Sequence, residues 1–220
     1  WVRKIIMIHL HQLPKLKGKN YSCSPFCLKL ELYLKATDLN YQNHFSLEFN
    51  KSPTEKIPYI ETMGKKFADS NLIIAMLEKQ HQLNLDQHLS TEQKAIACAF
   101  IRLCQDSLYW AGLYSRWVDK DNYLWKKEFI ESTRLPKAMV SIIYPVAKRN
   151  ILRQLKAIAD YLGSKEYFFN DRISLVDIVV LSFIINMLGS NCGKRLANFL
   201  VSLKLDNFIK NMQNSFNISF

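Results

Sequence analysis

Residues 21–39 read YSCSPFCLKLELYLKATDL, and the reading of this stretch decides the fold. Ser24-Pro25 offers a side-chain cap followed by a residue suited to the first helical position, so a helix is expected to start there. Phe26, Leu28, Leu30, Leu32 and Leu34 supply its apolar positions, with Lys29, Glu31 and Lys35 between them. The unpaired amides of a helix start, together with the positive end of its dipole, favour a bound anion or thiolate, and the Ser24 hydroxyl sits at the same spot. A capped helix with no chemistry accounts for the same residues. The two readings part only in what lies around them.

Upstream, residues 4–10 (KIIMIHL) form a short, nearly continuous apolar run rich in β-branched side chains, as expected of a strand buried on both faces. Downstream, Tyr41, Phe45, Leu47 and Phe49 suggest a second strand over residues 41–49, which makes a β-α-β unit with the helix as crossover. Residues 56–61 (KIPYIE) read as a strand opened by Pro58, because a proline without an amide belongs at a strand start or edge. A turn at Met63-Gly64 leads to a further strand over residues 65–68. Asp69-Ser70 then cap an apolar helix over residues 71–78.

From residue 83 to 90 the pattern lapses into Asn, Asp, Gln and His, and a domain boundary is expected there. Thr91-Glu92 starts a long helix, along which Asp106, Tyr109, Trp110, Leu113, Tyr114 and Trp117 fall on one helical face. Such an aromatic stripe serves as core or as the wall of a pocket. A helix over residues 137–162, interrupted at Tyr144-Pro145, ends at Gly163. In ISLVDI, residues 173–178, Ser174 and Asp177 have the spacing of a capping box, with Ile173 and Ile178 flanking it as a hydrophobic staple. The nearly all-apolar helix that follows to Leu188 is too short to span a bilayer and fits a central, buried helix.

Size and charge narrow the classes. The chain has 220 residues, 49% of them hydrophobic, with six glycines and six prolines, enough for a packed core and too few for a long flexible linker. Its net charge of +11 is scattered, and the densest group, Lys148, Arg149, Arg153 and Lys156, reads as a solvated helix face. No nucleic-acid motif accompanies the charge, and there is neither a Gly-rich phosphate loop nor a cluster with metal-ligand spacing. Five cysteines, at 23, 27, 98, 104 and 192, form no disulfide framework, so a reducing, cytoplasmic location is expected.

Ser24-Pro25-Phe26-Cys27 resembles the Cys-Pro-aromatic-Cys element of glutaredoxins with serine in first place, and resembles more closely the start of the first helix in the glutathione transferase superfamily. SPFCLK is similar to the branch that holds metaxins, failed-axon-connections proteins and their bacterial relatives. ADSNLII (68–74), DSLYWAGLYSRWVD (106–119) and the box at Ser174 and Asp177 extend the resemblance in the superfamily's order. One departure is that the chain runs from Arg149 to Leu162 without the glycine-rich insertion of that branch.

The resemblance implies an α/β thioredoxin-like N-terminal domain, residues 1–85, and an all-α C-terminal domain, residues 90–220. It implies a cis Pro58, with the Ile57 backbone pairing with the cysteinyl part of glutathione and Asp69 and Ser70 holding the γ-glutamyl end; Lys51 is carried over with them. Ser24 would be the catalytic hydroxyl, while Tyr109, Trp110 and Tyr114 would wall a hydrophobic substrate. Ser174 and Asp177 would form a structural box. The implied activity is conjugation of glutathione, as co-substrate and without a metal, to an apolar electrophile. The implied assembly is a homodimer, with no nucleic-acid partner and no transmembrane span. Two alternatives stand beside it: a non-catalytic, metaxin-like binding module, and a glutathione-dependent thiol reductase working through Cys23, which precedes the cap.

Overall fold

The structure is a computed structural model that describes residues 7–16, 18–110, 112–113, 127, 151–169, 172–188, 198–199 and 201–218. Four strands, β1 (Ile8–Gln12), β2 (Tyr41–Phe45), β3 (Tyr59–Thr62) and β4 (Lys65–Ala68), form one mixed sheet in the order β2-β1-β3-β4. β1 runs parallel to β2, with Leu10 opposite Asn43, and antiparallel to β3, with Leu10 opposite Ile60. Helix α1 (Pro25–Ala36) is the crossover between β1 and β2. Helix α2 (Ser70–His81) follows β4 directly.

β1 is displaced from the expected run. Met7 lies ahead of the strand and is exposed, while the strand continues through His11 and Gln12. Ile8, Leu10 and Gln12 face the core, and His9 and His11 occupy the other face, where the His11 ring stacks on Tyr59 at 4.3 Å. The strand is therefore apolar on one face only. β2 also stops short of the expected residue 49, because Phe49–Lys51 coil into a 3-10 turn.

The helical part consists of α3 (Thr91–Arg102), a π-helical turn (Leu103–Leu108), α4 (Ile151–Leu162), α5 (Leu175–Leu188) and α6 (Asp206–Phe216). Ser90 caps α3 in a full box with Gln93. α5 is buried along almost its whole length and packs on both α1 and α3.

α1 explains how the two parts meet. Its apolar residues alternate along the sequence, and on a helix with 3.6 residues per turn alternate positions sweep the whole circumference instead of one face. Leu30, Tyr33 and Leu34 accordingly enter the core under the sheet, and Leu28 and Leu32 enter the helical core with Leu108, Val180 and Phe183. Each of these leucines is at most 1% exposed, worth ~1.5–3 kcal/mol apiece. Lys29 and Glu31 are buried along with them. Glu31 answers with hydrogen bonds from Gln12 Nε2 (3.0 Å) and Asn43 Nδ2 (2.9 Å).

Candidate functional site

The turn that delivers the chain from β1 to α1 is pinned by polar contacts. Ser22 Oγ donates to the Leu13 carbonyl (2.8 Å) and accepts from the Ser24 amide (3.3 Å), and the Cys23 amide donates to the Pro14 carbonyl (3.2 Å). Ser24 caps α1: its Oγ accepts from the Cys27 amide at 3.4 Å. That leaves the hydroxyl proton to donate, with the oxygen polarised by an amide at the positive end of a helix. Ser24 is half-buried, whereas the Cys23 side chain is 4% exposed. Cys27 is wholly enclosed, and burial, outweighing contacts with Leu13, Ser24 and Ser22, pushes its thiol up to about 11. A thiol so shifted stays protonated at neutral pH and packs instead of reacting.

The Ile57-Pro58 bond is cis. Ile57 lies just before β3, and its N–H and C=O have no partner among the described residues. Beyond β4, Asp69 takes φ +68° and ψ 114°, a backbone region that non-glycine residues rarely enter. Its side chain holds it there, as Oδ1 accepts from the amides of Asn71 (2.9 Å) and Leu72 (3.2 Å). Ser70, first in α2, is 5% exposed, and its hydroxyl has no partner among the described residues; its amide precedes the helical ladder. Lys51 is not drawn into this group. Its ammonium pairs with Glu48 Oε1 at 2.6 Å on the surface, and its carbonyl accepts from Lys66 Nζ.

A small pocket begins at the first residue of α1. Pro25, Tyr109, Gly112, Leu113, Phe183 and Asn186 line it. Phe26 meets Tyr109 edge-on at 4.9 Å and Phe183 at 5.4 Å. Trp110 touches Tyr109 but is 52% exposed and does not line the pocket, and Tyr114 lies outside the described residues. Asp106 is also exposed, paired with Arg102 at 3.4 Å. The expected single face over residues 106–117 assumed α-helical spacing. The π turn over Leu103–Leu108, closed by i→i+5 bonds, offsets the register there. Nothing in the uniformly apolar sequence of α5 distinguishes Phe183 from its neighbours.

At the start of α5 Asp177 is fully buried and accepts from the amides of Phe168 (2.7 Å) and Ser174 (2.9 Å) and from Ser174 Oγ (2.6 Å). The Ser174 hydroxyl thus donates to the carboxylate instead of accepting from the Asp177 amide, a variant of the expected reciprocal box. Burial raises the Asp177 carboxyl against the pull of these hydrogen bonds. Asp86, from the segment between the two parts, caps the same helix by accepting from the Leu175 amide (2.8 Å).

One group near the site had no counterpart in the sequence reading. Lys29 Nζ donates to Asn71 Oδ1 (2.7 Å), and Asn71 exchanges two hydrogen bonds with Gln105 of the π turn (3.0 and 3.1 Å). Burial, partly opposed by Asp69, lowers the lysine to about 7. Among the described residues no group of three or more His, Cys, Asp and Glu could hold a metal ion. None of the described helices is long and apolar enough to cross a membrane.

Residues 25–122 match the family model of the glutathione S-transferase N-terminal domain, and residues 151–214 match that of the C-terminal domain. Together with the mixed sheet and its helical partner, these matches mean that the chain belongs to the glutathione S-transferase superfamily. Failed axon connections of Drosophila melanogaster is 26% identical over 190 residues, 73% of this chain and 46% of that protein. The isoprene-epoxide–glutathione S-transferase of Rhodococcus sp. (strain AD45) is 39% identical over 102 residues, 44% of this chain and 42% of that protein. The matches thus span under half the length of both relatives. A glutathione S-transferase of Ceriporiopsis subvermispora, solved in complex with glutathione, superposes with a TM-score of 0.63 at 18% identity, covering 96% of each chain, a likeness of fold.

Proposed function

We propose that the chain binds glutathione along Ile57, Asp69 and Ser70 and adds its sulfur to an apolar electrophile seated against Pro25 and Tyr109. The observation that carries this reading is the Ser24 hydroxyl, polarised by the Cys27 amide and next in sequence to the proline that opens the apolar pocket. Glutathione's thiol, with an ordinary pKa of about 8.5, is only a few per cent ionised at pH 7, and lowering it by about two units takes roughly 2.7 kcal/mol. A hydroxyl donor and the positive end of α1 act on the thiolate together. The thiolate then attacks carbon: a C–S bond forms as the C–O bond of an epoxide, or a carbon–halogen bond, breaks, and the leaving atom takes the electron pair. The relative that is an isoprene-epoxide transferase supports a small, apolar epoxide as the first class to try. Cys27, Cys98 and Cys104 are free thiols, which suits the cytoplasm.

The open Ile57 backbone suits the cysteinyl part of the tripeptide, and Ser70 with the start of α2 suits its γ-glutamyl end. The ion pair with Glu48 keeps Lys51 on the surface, so it is left out of this set. Calorimetric titration with glutathione, followed by a conjugation assay with an epoxide and with a chlorinated nitroaromatic, tests the reading. Binding at about 1 mM or tighter, with turnover reduced 10- to 1000-fold in Ser24→Ala, is the expected result. Absence of binding favours a metaxin-like module. Reduction of a mixed disulfide that is lost in Cys23→Ser, with no conjugation by the unaltered chain, moves the chemistry to Cys23.

A further inference from the structure

Lys29 sits one turn beyond the start of α1 and is 0% exposed. Its ammonium has three donors, yet Asn71 Oδ1, at 2.7 Å, is its sole hydrogen-bond acceptor among the described residues. The nearest ring, Phe26, has its centroid 5.7 Å away. Asn71 is held by two bonds to Gln105, so it cannot swing away from the lysine. Among the described residues Asp69 is the one charged group that bears on the ammonium, and its Oδ1 is already bonded to the amides of Asn71 and Leu72. The partners from α2 and the π turn, Asn71 and Gln105, do not ionise. A cation is thus buried behind the positive end of α2, where the partial charge of the helix has the same sign. Burial opposes the charge more than Asp69 supports it, so an arriving anion would stabilise the cation further.

We propose that Lys29, acting through Asn71, is the positioning cation for the γ-glutamyl α-carboxylate of glutathione at the start of α2, making that site selective for a ligand with this carboxylate free. The proposal rests on the reading that Ser70 and the start of α2 take the γ-glutamyl end. In a low-dielectric setting a charge one residue removed from contact still acts strongly on a bound anion. With its ordinary value lowered to about 7 by burial, the lysine is largely neutral at pH 8, and an arriving carboxylate draws a proton onto it.

Calorimetry on the full chain and on Lys29→Met separates the possibilities. The probes are S-methylglutathione, whose blocked thiol cannot ionise, its glycyl monoethyl ester, and S-methyl γ-aminobutyryl-cysteinylglycine, which lacks the α-carboxylate. Lys29→Met is expected to weaken S-methylglutathione and the glycyl ester about 10- to 100-fold, and to leave the decarboxylated probe as weak as it is with the unaltered chain. At pH 8, in buffers of different ionisation enthalpy, S-methylglutathione is expected to bind the unaltered chain with net proton uptake and Lys29→Met with none. Equal binding by the two proteins, an equal loss for all three probes, or uptake unchanged in Lys29→Met overturns the proposal and leaves the glutathione reading standing. Failure of the unaltered chain to bind S-methylglutathione or glutathione overturns both.

Discussion

The starts of α5 and of α1 and α2 solve the same local problem in opposite ways. At α5 a serine and an aspartate bury their polar atoms and satisfy them: Asp177 takes hydrogen bonds from two amides and a hydroxyl. At α1 and α2 a serine, a serine and a lysine leave capacity over. Ser24 keeps a proton to donate, and among the described residues the Ser70 hydroxyl has no partner and buried Lys29 has one acceptor for three donors. Burial opposes the charge on Asp177 and on Lys29 alike. Only the first is met by a complete set of partners. A satisfied cap locks a helix in place, and a cap with unused donors is ready for a ligand.

Asp177→Ala should produce the largest effect, because it strands two buried amides and a hydroxyl. A loss of about 3–5 kcal/mol in urea unfolding is expected, and an unchanged midpoint would make the start of α5 no more demanding than that of α2.

Lys29→Met should go the other way, stabilising the chain at pH 7 by about 1–4 kcal/mol, since it removes a buried, under-paired charge. The sign with pH follows from linkage. The folded value lies near 7, below the ordinary 10.5, so between the two the unfolded chain binds more protons and stability rises with pH. The gap between variant and unaltered chain should therefore narrow by up to about 1.4 kcal/mol per unit from pH 7 to 9, and stay constant below about pH 6. A gap independent of pH would mean that Lys29 is fully compensated in the fold.

Ser70→Ala should weaken glutathione by about 1–2 kcal/mol with little change in melting, the mirror image of Asp177→Ala. Asp86→Ala, which loses one part-buried cap of α5, should cost about 1 kcal/mol of stability and nothing in glutathione affinity. Trp110→Ala, at a half-exposed ring outside the pocket, should change stability by less than about 0.5 kcal/mol.

What could be read from the sequence was local. Ser24-Pro25 named its own cap, the turn at Met63-Gly64 separated two strands, and Ser174 and Asp177 lay within one helical turn of each other. What escaped depended on distant partners. Lys29 stood between leucines like any solvated helical lysine, and its burial follows from two cores closing on α1 from both sides. Its partner Asn71 is 42 residues away, and Gln105 is a further 34. The aromatic stripe joined Tyr109 to Trp110, yet consecutive residues of a helix point about 100° apart, and of the two Tyr109 lines the pocket. Phe26, read as one apolar residue among five, supplies an edge contact to Tyr109.

The sharing of α1 between two cores has a consequence for cooperativity. Leu30 and Leu34 cannot leave the sheet core without pulling Leu28 and Leu32 from the helical one, so opening of either part breaks both. The amides of α1 should exchange their hydrogens only through global unfolding, and the sheet cut from the chain after residue 85 would carry an uncovered strip of leucine into water. The helix whose first turn is proposed to hold the chemistry is then among the last to loosen, and thermal motion at Ser24 is limited by the stability of the whole molecule.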